Sequence, residues 1–167
     1  MNVVTSEPPT GRVLGVHVAG STAYLAFRAE GSLEDHHDLR RIEPSQYMGS
    51  AEALYDFCQR FQQLLRECQP SLVAFLHTRN YQPNSYADAF KRASIESAVM
   101  IATRAVNVSY TLVRQEDAGT ELGLPGRFKA SQLTDAAMKL VSTQPLYWRE
   151  RSLAYAAAAT ATALDEA

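Results

Sequence analysis

Four histidines and two cysteines are the residues whose types suit metal or nucleophilic chemistry. His17 lies in the aliphatic run Arg12-Val-Leu-Gly-Val-His-Val18, and His77 ends the run Ser71-Leu-Val-Ala-Phe-Leu-His77. A neutral imidazole suits Zn²⁺, Cu²⁺ or Ni²⁺. A catalytic zinc takes three protein ligands, and only Glu150 and Glu96 offer themselves as a third, with no spacing that ties them to the histidines. A transition metal is therefore the one cofactor these residue types admit; the plainer expectation is no cofactor and two hydrogen-bonded histidines. His36 and His37 stand among Glu34, Asp35 and Asp38 and read as a solvated hairpin tip. Cys58 and Cys68 are ten residues apart in one helical segment, about 15 Å along its axis. That is too far for a disulfide, which needs Cα atoms within about 7 Å, so both read as reduced core thiols.

Other chemistry is excluded by its missing signatures. No serine sits in Gly-x-Ser-x-Gly. Gly119, Gly123 and Gly126 precede no Gly-Lys-Ser/Thr, so they form no phosphate loop. The formal net charge of -2 argues against a dedicated nucleic-acid binder, which draws affinity from a Lys/Arg excess. A local patch of Arg79, Lys91, Arg127 and Lys129 would still hold a phosphate backbone if the fold made them converge; the alternative is ordinary solvated surface. Tyr147 and Trp148 read as a packing anchor for the last helix rather than a binding platform.

The elements that must position these residues are legible from periodicity. Residues 12–18 form a buried strand, and 22–28 alternate with Ala23, Leu25 and Phe27 on one face, so the two runs make a hairpin around Ala19-Gly20-Ser21. Residues 30–38 are polar, and a weaker third strand covers 38–42. Ser50 caps a helix whose apolar stripe runs from Leu54 to Cys68, and Pro70 ends it. A strand at 71–77 follows, then a helix from Ser85, opened by Ser-x-x-Asp, to about Val106. Its small face carries Ala87, Ala93, Ser94, Ser97, Ala98, Ala102 and Ala105, with Phe90 and Ile101 as larger members. A strand at 107–113, a loop at 115–126 and helices at 131–141 and 149–164 complete the order. The Ala-rich last helix has little bulk of its own and is expected to pack closely on another helix or another copy of the chain.

Three stretches resemble RuvC-like Holliday junction resolvases within the ribonuclease H-like superfamily. Arg12-Val-Leu-Gly-Val-His-Val-Ala-Gly20 resembles the opening strand and its Gly turn. Leu72-Val-Ala-Phe-Leu-His77 resembles the fourth strand, and Arg151-Ser-Leu-Ala-Tyr-Ala-Ala-Ala-Ala-Thr160 resembles the last helix. The resemblance implies an α/β, ribonuclease H-like fold: a central mixed sheet of order 3-2-1-4-5 with helices on both faces. It places the family's catalytic acids at His17, His77, Arg151 and Ala154, none of which is a carboxylate. Two-metal phosphodiester cleavage needs hard oxygen ligands around Mg²⁺, so the resemblance implies an inactive nuclease site. It also implies that His17 and His77 face one crevice, that Arg127 and Lys129 occupy a segment that touches DNA, and that residues 86–105 are a dimer interface.

The expectation is thus a flexible arm at residues 1–10 and one domain at 11–167. It acts as a non-catalytic binding or assembly module, as a homodimer, with a protein or nucleic acid as partner. The alternatives are a transition-metal enzyme built on His17 and His77, or a nuclease with relocated acids drawn from Asp88, Glu96, Asp135 and Glu150. No leader segment and no apolar run near about 20 residues is present, which points to a cytoplasmic protein without membrane contact.

Overall fold

The computed structural model describes residues 11–35, 40–46, 50–77 and 85–166. The expected arm at 1–10, the His36–His37 pair and Arg79 lie outside the described residues. The leading hairpin is β1 (Val13–Ala19) and β2 (Thr22–Ala29), antiparallel, with Gly20 at φ 61° in the turn, where only glycine is unstrained. Two short strands, β3 (Ser32–Glu34) and β4 (Arg41–Ile42), both pair antiparallel with β2. The expected third strand is therefore divided, its second piece lying inside the 38–42 run and its first in a polar stretch that periodicity did not mark.

Helix α1 (Ser50–Cys68) crosses to β5 (Leu72–His77), and α2 (Tyr86–Ala105) crosses to β6 (Ser109–Arg114). Both crossovers join parallel neighbours, giving a mixed sheet of order β3-β2-β1-β5-β6. The predicted order holds once the extra short strand is counted. Ser85 caps α2 as its sequence suggests, its hydroxyl accepting the Asp88 N–H at 3.2 Å. The segment read as a loop after β6 begins with a short helix, α3 (Gln115–Glu121), followed by α4 (Ala130–Met138) and α5 (Trp148–Glu166). Gly119 misled that reading: it sits mid-helix because the Phe128 ring occupies the space its side chain would fill.

The sheet buries both faces, as a parallel-centred sheet must. Phe57, Phe61 and Leu65 of α1 and Ile95, Val99 and Ala102 of α2 pack on Leu14, Leu25, Phe27 and Phe75. The inward face of α2 includes Ala98 and Ala102 of the expected small face, whereas its larger members Phe90 and Ile101 point outward. Cys58 and Cys68 are both free, and burial pushes the Cys68 thiol up to about 11.

On the opposite face α5 lies over the sheet centre, and Leu153 to Ala161 are buried without interruption. As expected, the alanines meet another helix, packing with Leu133 and Ala137 of α4, and they also cover β1, β2 and β5. Gly15 permits this, since a Cβ there would collide with the Ala154 carbonyl and crowd the Ala158 side chain. Gly15→Ala must displace backbone, and overpacking of this kind costs about 3 kcal/mol. A melting temperature ~6–12 °C below wild type is expected by calorimetry; an unchanged value would show that α5 shifts freely.

Candidate functional site

A cleft of about 640 Å³ opens where β1 ends and the first turns of α4 and α5 begin. His17 reaches it because its side chain emerges on the α5 face of the sheet. Its imidazole is buried, with Nε2 3.5 Å from Glu150 Oε2 and with Nδ1 lacking a partner among the described residues. The hydrogen bond from His17 holds the Glu150 carboxyl below its ordinary range against the opposing effect of burial, and the charges of His17 and Arg149 add to it. Arg149 projects into solvent at the rim, 3.9 Å from the same carboxylate. Buried Arg92 and Gln115 close one side, and Ser131, Thr134 and Asp135 of α4 close the other. Glu96 takes no part in the His17 pair; it accepts a 2.7 Å hydrogen bond from Arg92 Nε.

His77 does not join His17. The parallel register ends at Val16 opposite Phe75, and its next step sets His17 opposite Leu76. Leu76 therefore shares the His17 face, buried with Ala74, Leu133 and Leu153, while His77 belongs to the other face and is exposed. The shared crevice expected for the two imidazoles is corrected by this one-residue offset, because successive strand residues point to opposite faces. Among the described residues no three His, Cys, Asp or Glu side chains group as a metal site.

Arg151 and Ala154 do not face the cleft either. Ala154 rests on Gly15, and the fully buried Arg151 reaches across the sheet to β2. Its Nε donates to the Leu25 carbonyl at 2.8 Å, and one terminal nitrogen donates to Asp35 Oδ1 at 3.0 Å and the Leu146 carbonyl at 3.1 Å. The α5 residues that do face the cleft are Arg149, Glu150 and Leu153. Two of the weighed acids, Glu150 and Asp135, thus line it; Asp88 and Glu96 do not. Of the expected basic patch, Arg127 and Lys129 are exposed just before the Ala130–Ser131 rim, whereas Lys91 opens onto a separate hollow beside Tyr86 and Phe90.

Tyr147 and Trp148 divide. Trp148 is the expected anchor, buried against Tyr155 with ring centroids 6.1 Å apart. Tyr147 is 42% exposed, lies 6.4 Å from the Tyr24 ring, and carries the Arg41 guanidinium 4.4 Å above its own. Neither Tyr24 nor Arg41 was singled out in the sequence, although the alternation of 22–28 already sets Tyr24 on the face opposite Ala23, Leu25 and Phe27.

No protein-family model and no curated protein matches the sequence. Solved structures do. Thermus thermophilus RuvC aligns at 17% identity with TM-score 0.70, over 93% of this chain and 96% of that one. The same protein in complex with a Holliday junction substrate aligns at 16% identity with TM-score 0.72 and the same coverage. The yeast mitochondrial Holliday junction resolvase Ydc2 aligns at 13% identity with TM-score 0.59, over 95% of this chain and 80% of that one. The fold is RuvC-like, within the ribonuclease H-like class. Within this RuvC-like fold the adjacent ends of β1 and β5 carry His17 and Leu76 on the cleft face.

The His17–Glu150 pair makes a direct prediction. Replacing His17 by Asn removes the interaction that lowers the Glu150 carboxyl while leaving its burial, which raises it. Glu150 should then titrate at higher pH than in wild type when its side-chain carboxyl is followed by ¹³C NMR; an unmoved titration would separate the two groups in solution.

Proposed function

We propose that this chain is a RuvC-like module that binds nucleic acid at the α5 end of its sheet without metal-dependent cleavage. The observation that carries the reading is the pair His17 and Leu76 on the cleft face of adjacent strands. Two-metal hydrolysis of a phosphodiester requires carboxylate oxygens to bridge and hold the ions. An imidazole engaged with Glu150 and a buried isobutyl group offer none. Binding is supported by the rim, where Arg149, Arg127 and Lys129 are exposed near the first turn of α4. The RuvC to which the fold is similar has been seen with a Holliday junction substrate. The transition-metal reading on His17 and His77 loses its support with the two rings on opposite faces.

The test is a gel-shift and cleavage assay on a labelled four-way junction and its component duplex, with Mg²⁺ or Mn²⁺. Binding without cleavage is expected. Cleavage abolished by both Glu150→Gln and Asp135→Asn would overturn the reading in favour of a nuclease with relocated acids, the two that line the cleft.

The same reading includes a homodimer through α2. Phe90 and Ile101 are 57% and 62% exposed on one stripe, separated by Ala93, Ser94 and Ser97. Small residues between two large ones suit an antiparallel crossing of two copies, each large residue meeting the other's opposite end. Phe90→Glu should convert a dimer to a monomer in sedimentation equilibrium; a wild-type protein that is already monomeric would exclude the interface.

A further inference from the structure

His17, Tyr24 and Arg41 form one row across three strands. His17 on β1 is the register partner of Tyr24 on β2, and Tyr24 is in turn the partner of Arg41 on β4. Direct partners in antiparallel pairs project to the same face, so the row lies under the start of α5. The helix meets it at two points: Glu150 over His17, and Tyr147 over Tyr24 and Arg41. The Tyr147 carbonyl accepts the N–H groups of Glu150 and Arg151 at 3.1 and 2.9 Å, which fastens the residue to the helix start. Its φ of 57° is left-handed, a conformation that a tyrosine adopts at a cost of order 1 kcal/mol. The strained backbone holds an aromatic ring half in solvent rather than in the core, where its neighbour Trp148 goes.

Arg41 is exposed, has no carboxylate partner among the described residues, and sets its guanidinium over the Tyr147 ring. Its neighbour Arg40 is engaged with Asp35. The row therefore ends in two tilted aromatic rings with the Arg41 guanidinium over one of them.

We infer that Tyr24, Tyr147 and Arg41 form a stacking platform for an unpaired nucleobase, with its phosphate held by Arg41. Every base has a π-face, and stacking on aromatic side chains with arginine support is how single strands are held without sequence preference. A duplex, whose bases are stacked on one another, offers the platform nothing to take. The inference rests on the nucleic-acid reading above and adds the form of nucleic acid the site takes.

The test is fluorescence anisotropy with a labelled single strand of about 20 nucleotides and the matching duplex at one fixed salt concentration. Tyr147→Ala should weaken single-strand binding by about tenfold or more and duplex binding by less than about twofold. Tyr147→Phe keeps the ring and should stay within about twofold of wild type on both. Arg41→Gln, on a short edge strand, should weaken the single strand more than the duplex. Melting curves of each variant check that it is folded. Equal losses on both substrates, or no loss from Tyr147→Ala, would overturn the platform while leaving nucleic-acid binding intact. Failure of the wild type to bind single strand, duplex or junction would overturn both readings together.

Discussion

Everything at the cleft depends on how closely α5 approaches β1. Helices pack on sheets at a distance set by the side chains between them, and here one strand contributes none: Gly15 lies directly under the Ala154 carbonyl, with Ala158 beside it. The contact fixes the rotation of the helix as well as its height. With Ala154 on Gly15, the position four residues earlier returns to the same face. That position is Glu150, which comes down on His17; Tyr147, in the left-handed turn just before the helix, lies against Tyr24. A bulkier residue at 15 would lift or turn the helix and separate both pairs at once.

Arg151 follows from the same phase and has the opposite consequence. Its side chain enters the protein rather than the cleft, and burial lowers its pKa while Asp35 opposes that effect. Burying a guanidinium is costly, and each donor that is answered reduces the cost. Carbonyls of Leu25 and Leu146 and the Asp35 carboxylate answer three of them, while the second terminal nitrogen is buried without a partner among the described residues. Asp35 is also bound by Arg40, so this cation ties α5 to the segment that carries β4. The position of Arg41, next in the chain, is therefore set from inside the core by a residue that the resemblance places at a catalytic-acid position.

The backbone layout was largely legible because it rests on apolar runs and caps: Val13–Val18, the Leu54–Cys68 stripe and Ser85 all behave as their spacing implies. What escaped was register and phase. A strand's side chains alternate with period two, so one residue of slip exchanges its faces. His77 ends the β5 run and invites comparison with His17, yet Leu76 is the residue level with it, and nothing in the run itself distinguishes the two. Phase failed similarly on α2, where two stripes of comparable apolarity exist and the one with Phe90 and Ile101 faces out. Tyr147 and Trp148 are adjacent, and only the left-handed turn at Tyr147 sends one ring outward and the other inward.

The identity of Leu76 bears on more than a missing ligand. It joins Ala74, Leu133 and Leu153 in an apolar floor beneath the cleft. Carboxylates that bind hydrated Mg²⁺ need neighbouring water and hydrogen-bond donors, and an ionised group set into this floor would lose both. On the proposed reading the floor has been given to packing. The polar surface that remains is the His17–Glu150 pair, the α4 turn and the row that leads from His17 through Tyr24 to Arg41. On that reading these groups, along the walls and rim, serve to touch a phosphate or a base rather than to hold the pair of ions that hydrolysis would need.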